Sequence, residues 1–165
     1  MIAEITLFFF QLPFVFNFEV IWNVPSEICL SKSIDIPLDE YGIKHNVNQR
    51  FEGEEVVLFY SYKFGRYPYY YHHNASEPKN GGLPQKVNMT DHLAKAEKDI
   101  KIAIPNENFT GVAILDFEEW RPTYETNWSA KRVYRNESIK YAEEHCNSTC
   151  NATAVAIEEF DSAAK

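Results

Sequence analysis

The sequence predicts an α/β fold built on a parallel sheet or barrel, and three observations carry that expectation. Three short runs, 18–24 (FEVIWNV), 55–60 (EVVLFY) and 111–117 (GVAILDF), are rich in Val, Ile, Leu and Phe. The last two are nearly continuous hydrophobic stretches, the pattern of parallel strands covered on both faces. Helical spacing follows the second and third runs, and strands alternating with helices build parallel sheets.

Between the second and third strands a helix is expected to begin near Asp91, with Thr90 as its N-cap. Its apolar positions Leu93, Ala96, Ile100 and Ala103 recur at helical spacing. A second helix is expected over roughly 127–144 and a third over about 152–165. The stretch 63–88 (KFGRYPYYYHHNASEPKNGGLPQKVN) has neither period and reads as one long loop rich in Gly, Pro and Tyr. Loops of this length in compact domains are usually functional or disordered. This one leaves the C-terminal end of a parallel strand, the edge on which α/β barrels place their sites. Its Tyr67, Tyr69, Tyr70 and Tyr71 either offer flat faces for stacking or pack the loop onto the rim. His72 and His73 read as exposed loop residues rather than metal ligands.

At 165 residues the chain has the size of one ordinary domain. Hydrophobic residues make up 45% and charged residues 24%, which excludes a disordered tail, a collagen-like fibre and a multi-span membrane protein. Lys plus Arg number 16 against 24 for Asp plus Glu, and the net charge of -8 argues against nucleic acid as a partner. The sign reverses locally. Arg121, Lys131, Arg132 and Arg135 stand against the single Glu125 in residues 121–135. Such a patch suits a polyanionic ligand, or is simply a solvated helix face.

Asn-X-Ser/Thr triplets occur at Asn74, Asn88, Asn108, Asn127, Asn136, Asn147 and Asn151. With 13 Asn and 16 Ser plus Thr in the chain, chance placement gives only about one. The excess predicts N-glycosylation on surface loops and therefore the secretory pathway. Residues 1–16 (MIAEITLFFFQLPFVF) have the length of a signal-peptide apolar region, with the remaining residues 17–165 forming the folded part. Glu4 stands where a Lys or Arg is expected, and Gln11 and Pro13 interrupt the run, so no stable membrane span is expected. Cys146 and Cys150 lie four apart and can form a disulfide if the segment is helical or tightly turned. A zinc site on His145, Cys146 and Cys150 is the alternative. Cys29 has no evident partner in the chain, which in a secreted protein points to an intermolecular bond or to a partner elsewhere.

The sharpest chemical signal is the segment 116–122 (DFEEWRP). A buried strand ends abruptly in three carboxylates: Asp116, Glu118 and Glu119. Strand side chains alternate, so Asp116 and Glu118 share a side while Phe117 points away. Two carboxyls about 6–7 Å apart at their Cα atoms do not ionise independently, and one is expected to hold its proton. A carboxylic acid protonated near neutral pH is the general acid that a glycosidase needs for the leaving oxygen. The plainer reading is an acidic turn in which Asp116 caps the next segment and Arg121 pairs with Glu119.

These residues extend into a family pattern. The stretch from Phe18 to about Lys165 resembles the N-terminal part of animal hyaluronidases, the family 56 glycoside hydrolases. The matching blocks are VIWNVPSEIC at 20–29, YGI at 41–43, FEGEEVVLFY at 51–60, FGRYPYY at 64–70 and NGGLPQ at 80–85. They continue with HL at 92–93, IP at 104–105, FTGVAILDFEEWRP at 109–122 and NW at 127–128. The resemblance implies an incomplete, TIM-like β/α barrel comprising about its first three strand–helix units. It implies cleavage of β-1,4 N-acetylhexosaminide bonds within hyaluronan or chondroitin, by a retaining mechanism in which the substrate's acetamido group replaces the enzyme nucleophile. Glu118 matches the proton donor, and Asp116 the carboxylate that orients the acetamido group. Tyr60 matches a tyrosine lining the acetamido subsite, and Arg121 a basic residue near the cleft. It implies no cofactor, and a secreted or lysosomal location.

The resemblance also implies a barrel about twice as long as this chain. In the family the counterpart of Cys29 pairs with a cysteine near the end of the barrel, and no match for that cysteine occurs here. Cys146 and Cys150 match no feature of the pattern, so their pairing rests on spacing alone. Three strands cannot close a barrel, and an open parallel sheet exposes an edge and apolar faces. The isolated chain is therefore expected to fold poorly and to turn over little substrate. A non-catalytic, secreted glycan-binding protein is the second expectation.

Overall fold

The computed structural model describes residues 18–165, and the leader expected at 1–16 lies outside them. The first expected strand, 18–24, contracts to β1 (Ile21–Trp22), which pairs in parallel with β2 (Lys44–His45). The flanking Phe18, Val20 and Val24 find no cover and are exposed. A short helix α1 (Glu27–Leu30) follows β1, and polar ties hold this region together. The Trp22 indole donates to Ser26 Oγ at 2.9 Å, Ser26 donates to Gln49 Oε1 at 2.9 Å, and Gln49 Nε2 donates to the Ile36 carbonyl at 2.9 Å.

The second strand is β3 (Val56–Tyr60), within one residue of expectation. Its entry is set by Asn46, which is fully buried. Asn46 Oδ1 accepts from the Glu55 and Val56 amides at 2.9 and 3.0 Å, while Nδ2 donates to the Arg50 carbonyl at 2.9 Å. Val56, Val57, Leu58 and Phe59 are all buried, so β3 is covered on both faces as its unbroken apolar run requires.

The long segment after β3 is more ordered than a loop. It contains β4 (Tyr69–Tyr70) paired antiparallel with β5 (Pro78–Lys79), together with single 3-10 turns at Tyr71–His73 and Pro84–Lys86. The helix α2 (Met89–Ala103) starts two residues before Asp91. Its cap is Asn88, not Thr90: Asn88 keeps an extended backbone and its side chain accepts from the Asp91 amide at 3.1 Å. The apolar stripe expected on α2 is only partly used. Ala96 is buried, but Leu93 and Ile100 are exposed. Polar contacts dock the helix instead. Asp99 accepts from the Gly65 amide at 2.8 Å and His92 Nδ1 accepts from the Arg66 amide at 3.1 Å. Gly65 has φ +61, and a Cβ there would lie 2.8 Å from the His92 ring, so no larger residue fits.

The third strand, β6 (Val112–Asp116), pairs in parallel with β3 in unbroken register from Val56 opposite Val112 to Tyr60 opposite Asp116. The helix expected from residue 127 begins five residues later as α3 (Arg132–His145), because Asn127 closes the preceding turn. The last helix is α4 (Ala152–Ala163), capped by Asn151, which accepts from the Ala154 amide at 3.2 Å. Cys146 and Cys150 form a disulfide across the α3–α4 turn with Cα atoms 6.0 Å apart. Beside it, His145 Nε2 pairs with Glu159 at 2.7 Å. The sulfurs and the imidazole are thus committed to other partners than a shared zinc ion.

The main core lies between α3, α4 and the segment after β3. It is formed by Tyr70, Leu83, Tyr124, Tyr134, Ala142, Ala156 and Phe160. Ala142 on α3 and Ala156 on α4 are both fully buried, and their small side chains let the two helices approach closely. The result is a mixed α/β fold with two parallel strand pairs, β1–β2 and the longer β3–β6, and one antiparallel pair, β4–β5.

Candidate active site

β3 and β6 run in the same direction and stop together, so Tyr60 and Asp116 are cross-strand neighbours at their shared C-terminal end. Adjacent strands lie about 4.8 Å apart, which places the phenol and the carboxylate within reach of one ligand group. Gly111 permits this approach at the other end, where a Cβ would sit 2.5 Å from the Glu55 carbonyl oxygen.

The segment after Asp116 is held by its aromatic residues. Phe117 packs against Tyr67 with ring centroids 4.5 Å apart and against Phe64 at 6.0 Å. Trp120 stacks on Tyr67 at 5.1 Å with planes 3° apart, and its indole N–H donates to the Pro68 carbonyl at 2.8 Å. Between these anchors Glu118 is exposed and Glu119 is half-buried. The Glu118 carbonyl accepts from the Lys131 ammonium. Burial lowers the Lys131 pKa, and the Arg121 cation lowers it further, against the pull of Glu119 and Glu118.

Arg121 does not pair with Glu119. Its Nη1 donates to the Thr126 carbonyl at 2.8 Å and its guanidinium lies 4.3 Å from the centre of the Trp128 ring. Arg135 is likewise occupied, by Glu125 at 3.2 Å. Most of the basic patch is therefore engaged within the chain rather than free for an anion.

Asn127 ties the 121–127 turn shut. Its Oδ1 accepts from the Arg121 amide at 2.8 Å, while Nδ2 donates to the carbonyls of Arg121 at 3.0 Å and Thr123 at 2.9 Å. It is fully buried. Within this fold its amide nitrogen is spent on the turn, which corrects the expectation of an exposed glycan acceptor there. Asn74, Asn88, Asn108, Asn136, Asn147 and Asn151 are all exposed.

The tyrosines of the segment after β3 divide. Tyr67 and Tyr70 are buried core residues, and burial raises both hydroxyl pKa values, with Tyr70 pushed up to about 12. Tyr69 and Tyr71 face outward and, with Tyr62, His72, His73 and Glu119, line a cleft of about 480 Å³. Tyr62, not anticipated from the sequence, stacks on Tyr60 at 6.0 Å with planes 6° apart. It lies in the turn that closes β3, where the Lys63 amide donates to the Tyr60 carbonyl at 2.9 Å, and strand alternation gave no signal for it. A second cleft of about 470 Å³, lined by Glu52, Glu54, Ile102 and Phe109, lies at the opposite end of the strands, away from the carboxylates. Among the described residues no group of three His, Cys, Asp or Glu gathers as a metal site, and no helix is long and apolar enough to cross a membrane.

Comparison with known proteins places the chain in a family. The chain is 47% identical over 124 residues to a chondroitin hydrolase of Caenorhabditis elegans, covering 74% of this chain and 27% of the relative. It is 41% identical over 129 residues to hyaluronidase-1 of Sus scrofa, covering 76% and 29%, and 42% identical over 148 residues to human hyaluronidase PH-20, covering 87% and 28%. Relatives with these names are glycoside hydrolases, and the chain spans between a quarter and a third of their length. Among solved structures, bee venom hyaluronidase in complex with a hyaluronic acid tetramer superposes with a TM-score of 0.77 at 28% identity, over 90% of this chain and 47% of that one. The family model for hyaluronidase matches residues 11–165, and the chain belongs to that family as a match to its N-terminal part.

Proposed function

We propose that this chain carries the carboxylate-bearing part of a hyaluronidase-type site that hydrolyses hyaluronan or chondroitin within the chain. The observation that carries the reading is the β3–β6 register, which sets Tyr60 beside Asp116 at the end from which Glu118 follows. In the proposed mechanism Glu118 protonates the glycosidic oxygen and later removes a proton from the attacking water. Asp116 orients the acetamido group and stabilises its positive charge as it closes on the anomeric carbon. Tyr60 lines the pocket for that group, and Arg121, its guanidinium over the Trp128 ring and bonded to the Thr126 carbonyl, is proposed as a basic residue near the cleft. The protein is proposed to act in the secretory pathway, secreted or lysosomal, with glycans on its exposed sequons. The fold is proposed to be the opening part of a β/α barrel.

The test is release of reducing ends from hyaluronan and chondroitin by the chain and by Glu118→Gln. Loss of a general acid costs about 10²–10⁴-fold in rate, and oligosaccharide binding should survive it. Equal, measurable turnover by wild type and Glu118→Gln would sink the assignment. The open flank of β6 favours one second reading, a glycan-binding protein without turnover, in which both proteins bind and neither cleaves.

A further inference from the structure

The cleft at the start of β3 and β6, at the far end of the strands from the carboxylates, carries a modification signal on its own rim. It encloses about 470 Å³ between the end of α2, the turn before β6 and the residues leading into β3. Ile102 in the last turn of α2 is apolar yet keeps 79% of its accessible surface, and Phe109 beside it is only half-buried. Asn108 lines the same cleft, is exposed, and begins the triplet Asn108-Phe109-Thr110. The turn fixes its backbone: the Asn108 amide donates to Asn106 Oδ1 at 2.9 Å and the Phe109 amide to the Asn106 carbonyl at 3.1 Å. Among the described residues the Asn108 side-chain nitrogen makes no hydrogen bond, whereas that of Asn74 donates to Glu77 at 3.0 Å.

Resting on the secretory-pathway reading, we infer that this cleft seats the chain's own glycan. The first N-acetylglucosamine on Asn108 folds back over Ile102 and Phe109 and covers this end of the β3–β6 pair. The bond is made by oligosaccharyl transfer: the Asn108 amide nitrogen loses one proton and takes the sugar's anomeric carbon from a lipid pyrophosphate, which leaves. The volume suits one hexosamine ring with its acetamido group. Ile102 and Phe109 offer an apolar side chain and an aromatic ring, the surfaces on which the C–H face and the acetyl methyl of that sugar pack. The charged groups of the wall are already paired, Arg50 with Glu54 at 3.5 Å and Glu52 with Lys63 at 3.6 Å. A neutral sugar leaves those pairs intact and brings no charge of its own to desolvate. The tether settles the choice of occupant. A sugar held covalently at the rim is present at high effective concentration, so contacts too weak to capture a free ligand suffice to seat it.

The experiment compares the 165-residue chain made in a secretory eukaryotic host with the same chain from a bacterial periplasm, where the disulfide forms without glycan. Peptide mapping first reads occupancy of Asn108. In the glycosylated protein Asn108→Gln should lower the melting temperature by about 2–4 °C, and in the bare protein it should not. Trimming the glycan to its first sugar should leave the wild-type value unchanged. Ile102→Ser, at an exposed position that the bare fold does not need, should abolish the difference between glycosylated wild type and Asn108→Gln. Nuclear Overhauser contacts from the acetyl methyl to the Phe109 ring give the geometry directly. An occupied Asn108 with no such contacts, or with equal melting temperatures in glycosylated wild type and Asn108→Gln, overturns the seat and leaves the secretory reading standing. An Asn108 without glycan, beside other sequons that carry it, also overturns the seat. Absence of glycan from every sequon overturns the secretory reading and the seat with it.

Discussion

β3 and β6 are parallel neighbours of equal length and similar composition, yet they sit in opposite environments. Every residue from Val56 to Phe59 of β3 is buried, whereas Val112, Ala113 and Leu115 of β6 are exposed. Leu58 retains 6% of its accessible surface and Leu115 retains 56%. The difference lies in what surrounds each strand. β3 has the aromatic cluster of Phe64 against Phe59 on one side and β6 beside it. Among the described residues neither strand has a partner on its other edge, so the difference lies in the faces: those of β3 are covered and those of β6 are largely open. The strand that leads to the carboxylates is thus the less supported of the two. A parallel strand reads as hydrophobic because both its faces are meant to be covered, and β6 keeps that composition without that cover.

The sharpest way to break this comparison is a pair of truncations read by urea unfolding. Leu58→Ala should cost about 2–5 kcal/mol, the range for emptying a packed core site. Leu115→Ala should stay within about 0.5 kcal/mol, as for an open surface position. Equal costs would mean that the outer flank of β6 is covered in solution, by a second copy or another chain.

A smaller effect is expected where β6 hands over to the turn beyond it. Asn127→Ala removes a buried amide that serves both Arg121 and Thr123 and should destabilise the chain by about 1–3 kcal/mol. The same burial makes Asn127 the sequon expected to stay unmodified in peptide mapping of the protein expressed in a secretory host, where the exposed acceptors are expected to carry glycan. Full occupancy at Asn127 would show that the turn forms differently from the arrangement described above.

The smallest effect separates the well-packed α3–α4 pair from the strands by pH. The hydrogen bond to Glu159 raises the His145 pKa above its ordinary 6.5, against the opposing effect of burial. A raised folded-state value means that the protonated ring is favoured in the native protein. Its contribution is full below about pH 6.5 and is lost as the pH climbs through the raised value. The melting temperature should therefore fall between pH 6 and pH 8 by more in the wild type than in His145→Gln. An identical fall in both proteins would remove the pair from the account of α3–α4 docking.

Much of the candidate site's layout was legible in the sequence because its signals are local. An apolar run that ends in Asp116-Phe117-Glu118 states where a strand stops and where acids begin, and Asn-X-Ser/Thr needs three residues to be read. The misplacements share one cause. Asn88 and Thr90 are both good caps, and nothing in the residues themselves says which will stand outside the helix. The stripe of Leu93 and Ile100 is correctly helical, but its period does not reveal that no neighbour covers it.

By itself, the sequence determined the strands at 56–60 and 112–116, the three helices to within a few residues and the order of the carboxylates that follow β6. Only the tertiary structure decided that Tyr67 and Tyr70 belong to the core while Tyr62, Tyr69 and Tyr71 line a cleft, that Asn127 is a tie, and that β6 lies open. Periodicity and composition are properties of neighbours along the chain. Burial depends on what arrives from elsewhere, and the same tyrosine serves as core or platform according to the surface that meets it.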